Sequence, residues 1–190
     1  MALNILICGI GGQGTVLAAK VISAAALNKG EKVLSAETIG MAQRGGCVTS
    51  HVRIGSDAFS PLIGKKCADL LISFEASEAV RNASYLKDGG TLIVASKSIQ
   101  PITASLSGKS FSVDAMLQFL SKVSSNIITV DTDAACKELG SAKVANMVLL
   151  GAACKQGILD IKQIKEAVKS LVKEDFYQLN CKALDWGYGN

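Results

Sequence analysis

Apolar residues fall along this chain in two rhythms. Short continuous runs, "LNILIC" at 3–8 and "ADLLISF" at 68–74, have the pattern of strands covered on both faces, as in parallel sheets. Longer segments repeat at three- and four-residue spacing. Between Gln13 and Asn28, residues Val16, Leu17, Val21, Ile22, Ala25 and Ala26 share one helical face, and Gly30 supplies the stop. "KVLSAE" (32–37), "TLIVAS" (91–96) and "NIITV" (126–130) read as further strands. "CVTSHVRI" (47–54) alternates apolar with polar, which predicts a half-exposed or edge strand. A short helix, "EASEAVRNASYL", and a turn, "KDGG", separate the strands at 68 and 91, and "VDAMLQFLSKV" is a helix before the last strand.

Beyond residue 131 the pattern is helical throughout. "DIKQIKEAVKSLV" carries Asp160 as an N-cap and a stripe of Ile161, Ile164, Val168 and Leu171. "VANMVLLGAACKQG" is apolar nearly all round, which predicts burial in the core or at an interface. Alternating strands and helices with short connections define a single doubly wound α/β domain over residues 1–190, Rossmann-like, with a mostly parallel sheet and a helical C-terminal end.

Composition sharpens this picture in a few places. Apolar residues make up 49% of the 190 and charged residues 19%, with a mean hydropathy of +0.33, so some apolar surface is expected to face another protein. The net charge of +4 is modest and the lysines are scattered, which predicts no nucleic-acid partner. No run approaches the ~18 apolar residues of a membrane span, and the N-terminal stretch is too glycine-broken for a signal sequence, so a cytoplasmic protein is expected. The six cysteines, Cys8, Cys47, Cys67, Cys136, Cys154 and Cys181, are widely separated with no C-x-x-C; they read as buried thiols, with no metal site.

Chemistry concentrates in two loops. "GIGGQG" fits G-x-G-x-x-G through Gly9, Gly11 and Gly14, between a strand and a helix, the context in which backbone N–H groups approach a pyrophosphate or another anion. Glu37 then stands where an acidic ribose ligand is expected. Three readings stay open: a dinucleotide loop, a loop for some other anion or partner, and glycines needed only for tight packing. Gln13 adds an amide at the helix mouth. The second loop, "MAQRGG", holds Arg44, one of three arginines, beside Gly45 and Gly46, where a planar guanidinium can meet an anion or a partner carboxylate. His51, the only histidine, reads as a hydrogen-bonded sheet residue, with no triad around it.

Together, "GIGGQGTVLAAKVI", "ETIGMAQRGGCVTSHVRIG", "ADLLISFE", "NMVLLGAACKQG" and "NCKALDWGYG" resemble the gamma-type subunit of 2-oxoacid:ferredoxin oxidoreductases, with the beta subunit of indolepyruvate ferredoxin oxidoreductase as the nearest likeness within it. The resemblance implies a subunit of an enzyme that converts a 2-oxoacid plus coenzyme A to acyl-CoA and CO2, with electrons passed to ferredoxin. It also implies a ligand-binding role for Gly9, Gly11, Gly12, Gln13, Gly14, Arg44, Gly45 and Gly46. The chain has no cysteine cluster and no "GDG" segment of the kind that holds thiamine diphosphate. Thiamine diphosphate and iron–sulfur clusters are therefore expected on a large partner subunit, with no redox cofactor and no catalytic residue assigned here.

Overall fold

The computed structural model describes residues 2–39, 46–99 and 112–190. Six strands, β1 (Leu3–Ile10), β2 (Val33–Ile39), β3 (Cys47–Ile54), β4 (Ala68–Ser73), β5 (Leu86–Ala95) and β6 (Asn126–Val130), form one sheet in the order β2-β3-β1-β4-β5-β6. The α-helices among the described residues are α1 (Thr15–Asn28), α2 (Ala76–Asn82), α3 (Val113–Val123), α4 (Thr132–Glu138), α5 (Ala145–Lys155), α6 (Ile161–Leu171) and α7 (Glu174–Gly189). The doubly wound α/β expectation holds. Strands β1, β4, β5 and β6 are parallel, whereas β3 runs antiparallel to both β1 and β2.

β1 shows why its sequence has no polar positions between Ile5 and Cys8. Ile5 and Ile7 face a cluster built from α1, α5, α6 and α7, while Leu6 and Cys8 face a second cluster with α2 and α3. All four are fully buried, and each large aliphatic side chain among them contributes about 1.5–3 kcal/mol.

Three local expectations change, and one open choice, core or interface for the apolar helix, is decided. β3 lies inside the sheet, and its alternation reflects partial cover by α1 rather than an edge; the edges are β2 and β6. The "KDGG" turn belongs to β5, where Gly89 at φ +74° accompanies a register irregularity between Ala68 and Leu70. α5 is buried from Asn146 to Cys154 in the core, so its apolar surface is spent inside this chain and not on a partner. Of the cysteines, only Cys8 and Cys154 are buried; Cys47 and Cys67 are exposed, and all six are free thiols.

α5 and α7 cross at two glycines. A Cβ on Gly187 would lie 1.9 Å from the Val148 carbonyl oxygen, and one on Gly151 would lie 2.2 Å from that of Leu184. Backbone touches backbone there, which only glycine allows.

Candidate functional site

The chain winds from β1 through α1 on one face of the sheet, and from β4 through α2 and α3 on the other. The winding reverses between β1 and β4. Crevices at such reversals, outside the carboxyl ends of the strands, are where α/β sheets bind ligands. The glycine loop lies at this point, and so do the end of β2 and the beginning of β3.

Each residue of "GIGGQG" has a definable task. Gly9, the penultimate residue of β1, stands where a Cβ would fall 2.9 Å from Phe74 Cβ and 2.9 Å from Thr15 Cγ2, so this glycine seats α1 against the sheet. The Gly11 N–H donates to the Gly46 carbonyl at 2.8 Å, tying the first loop to the last residue of the second. Gln13 folds back on its own turn: its Oε1 accepts from the Ile10 N–H at 2.7 Å, and its N–H donates to the Ile10 carbonyl at 3.1 Å. Gly12 and Gly14 have φ of +101° and +89°, conformations that L side chains rarely adopt.

α1 therefore begins at a left-handed glycine with no side-chain cap and no acidic residue in its first turn. The N–H groups of Thr15, Val16 and Leu17 have no partner among the described residues. Such a terminus carries partial positive charge and attracts anions. Arg44 and Gly45 lie outside the described residues; Gly46 is placed beside Gly11 by the hydrogen bond above.

Two buried carboxylates line the neighbouring end of β4. Glu75 is fully buried; its side chain accepts from the Ser77 hydroxyl at 2.7 Å and from the Ile99 N–H, which anchors the segment after β5. Burial holds its carboxyl above the usual carboxylate range. Glu78, 3% exposed, accepts through Oε1 from the Cys47 thiol at 3.2 Å and from Arg81 Nε at 3.1 Å, and its Oε2 has no partner. Burial first, then this carboxylate, pushes the Cys47 thiol up; burial pushes Cys8 to about 12. Both thiols stay protonated at neutral pH, so neither is an activated nucleophile. Among the described residues no three His, Cys, Asp or Glu side chains gather to hold a metal ion.

His51 is a sheet residue, as expected: it is buried, its Nδ1 accepts from the Ile63 N–H at 3.1 Å, and its ring stands edge-on to Tyr85. Glu37 is exposed on the outermost strand, opposite Ser50 of β3. An adjacent parallel second strand is what brings the acidic residue of a dinucleotide fold to the ribose. Here β3 intervenes between β1 and β2, so Glu37 is a strand apart from that position. Glu75, Glu78 and Asn146 were not singled out by sequence reasoning, although Asn146 interrupts the apolar run "VANMVLLG" and Glu75 directly follows a buried strand.

The elements define the class: a doubly wound α/β domain with a glycine loop at the reversal of its sheet. Residues 4–189 match the pyruvate ferredoxin/flavodoxin oxidoreductase family, and the chain belongs to it. It is thus a subunit of an oxoacid:ferredoxin oxidoreductase, an enzyme that works as a complex. It is 37% identical to the indolepyruvate oxidoreductase subunit IorB of Archaeoglobus fulgidus, over 99% of this chain and 94% of that one. With the protein of the same description from Thermococcus kodakarensis it shares 34% identity, over 97% and 93%. The crystal structure of a keto/oxoacid ferredoxin oxidoreductase gamma subunit from Geobacter sulfurreducens superposes with a TM-score of 0.71 at 27% identity, covering 100% of this chain and 95% of that one.

Proposed function

We propose that this chain forms one wall of the active site of an indolepyruvate or arylpyruvate ferredoxin oxidoreductase, closing it around coenzyme A without carrying a redox cofactor. The overall reaction consumes a 2-oxoacid and coenzyme A and yields acyl-CoA and CO2, with two electrons leaving for ferredoxin. On the large partner subunit, thiamine diphosphate stabilises the carbanion left by decarboxylation and iron–sulfur clusters carry the electrons.

The observation that carries this reading is the hydrogen bond from Gly11 to Gly46. It joins the two most distinctive loops of the sequence at the carboxyl end of β1, next to the start of α1. The substrate class rests on the relatives, which are indolepyruvate oxidoreductase subunits. A cytoplasmic location fits the same reading, and no described helix is long and apolar enough to cross a membrane.

Arg44 tests it. A charged hydrogen bond to a phosphate contributes about 1.5–3 kcal/mol, roughly a ten- to hundredfold effect on affinity. Arg44→Ala should leave the melting temperature of the complex unchanged and raise its KM for coenzyme A by about tenfold or more, with Arg44→Lys between the two because lysine keeps charge but not the planar fork. Unaltered kinetics toward both coenzyme A and the 2-oxoacid would remove the role given to the loop.

A further inference from the structure

Glu78 puts a charge where the fold gains nothing from one. The buried residues of α2 are Ala76, Glu78, Ala79 and Asn82, and the apolar cluster on this side of the sheet takes in Ala76, Ala79 and Ala83. The Glu78 side chain is 3% exposed. Its Oε1 accepts twice, from the Cys47 thiol at 3.2 Å and from Arg81 Nε at 3.1 Å, while Oε2 is buried with no partner. A thiol is a weak donor, and the Arg81 side chain is 63% exposed, so these two bonds do not recover what taking a carboxylate out of water costs. An apolar side chain of similar volume would serve stability as well or better.

What the carboxylate does hold is the start of β3. Cys47 directly follows Gly46, whose carbonyl accepts from the Gly11 N–H at 2.8 Å. Cys47 is also paired with Ile10 of β1. The exit of the second loop is thus fixed to β1 through its backbone and to α2 through one side chain. α2 is itself pinned at its first residue, where the Ala76 N–H donates to the Lys97 carbonyl at 2.8 Å. Arg81, one turn on from Glu78, donates to the same oxygen that receives the thiol, which fixes the rotation of the carboxylate.

We infer that Glu78 is a positioning residue: through the Cys47 thiol it fixes the junction of the two loops at Gly11 and Gly46. The inference rests on the coenzyme A reading for its kinetic consequence alone, because the junction itself can be followed without ligand.

Three variants of the full chain test it. Glu78→Met removes the charge and both acceptors at similar volume, Glu78→Gln keeps one acceptor, and Cys47→Ala removes the donor at the exposed end of the tie. Native-state hydrogen exchange of the Gly11 amide should be about tenfold faster in Glu78→Met and in Cys47→Ala, with Glu78→Gln between them and wild type. In Glu78→Met the amides of β4 and β5 should exchange as in wild type, and the melting temperature should not fall. In the complex with the large partner subunit, Glu78→Met and Cys47→Ala should raise the KM for coenzyme A by about fivefold or more at nearly unchanged kcat, and Glu78→Gln should restore part of that loss. A Gly11 amide that exchanges at the wild-type rate in Cys47→Ala and Glu78→Met overturns the inference, whatever the kinetics. Failure of Glu78→Met to fold, or a lowered melting temperature with faster exchange throughout the sheet, marks a residue of the fold and overturns it too. Faster Gly11 exchange with unchanged kinetics supports the tie at the junction and counts against the coenzyme A reading.

Discussion

At the scale of single residues, the site is organised by groups kept from reacting. Cys47 is exposed, yet its thiol is tied to the Glu78 carboxylate, and a negative charge at hydrogen-bond distance disfavours the thiolate. Glu78→Gln should therefore accelerate alkylation of Cys47 near about pH 8, while Cys67, whose thiol donates to the Lys65 carbonyl, keeps its rate; mass spectrometry of iodoacetamide-treated protein reads both. Equal Cys47 rates in the two proteins would contradict the assignment. His51 gives a pH dependence of definite sign. Burial lowers its pKa in the folded state, so the unfolded chain binds the proton more readily. The His51 contribution to stability is then complete above about pH 6.5 and shrinks as pH falls below it. Urea unfolding should show wild type losing more stability between pH 7.5 and about 5.5 than His51→Asn does. Parallel pH profiles would show that burial does not depress the His51 pKa in the folded state. The sequence made His51 legible as a sheet residue because alternation placed it. It hid Glu75 and Glu78, whose burial depends on what the ends of β1 and β3 bring against them.

Among the elements, helix signals were the most readable. Asp160 caps α6 through Oδ1 contacts of 2.8 Å to the Lys162 N–H and 3.3 Å to the Gln163 N–H, as its position before the Ile164 and Val168 stripe predicts. Asp160→Ala should cost about 1 kcal/mol in denaturant unfolding. α5 was legible as buried but not as central, because an all-round apolar helix has the same sequence whether it faces a partner or its own core. What places it in the core is the crossing with α7, encoded by Gly151 and Gly187. Gly187→Ala should destabilise by at least about 2 kcal/mol, since helix backbones in contact cannot absorb a methyl group; a melting temperature equal to wild type would show that the helices separate freely. Strand order was the least legible feature. Periodicity gives each strand its faces but not its neighbours, and so the insertion of β3 between β1 and β2 was invisible in the sequence.

For the molecule as a whole, the topology decides between functions that share a glycine motif. An antiparallel β3 beside β1 removes Glu37 from the position a dinucleotide ribose requires, and it brings the second loop to the first through the Gly46 carbonyl. The family makes the chain a subunit of an oxoacid:ferredoxin oxidoreductase, and the proposal that it completes a partner's site builds on that arrangement. The measurement that tests this most directly is coenzyme A-dependent oxidation of indolepyruvate with an artificial electron acceptor, made on this chain alone, on the large partner subunit alone and on the two combined. The account predicts turnover only in the combined sample. Turnover by this chain alone, or a partner whose rate is unchanged when this chain is added, would contradict it.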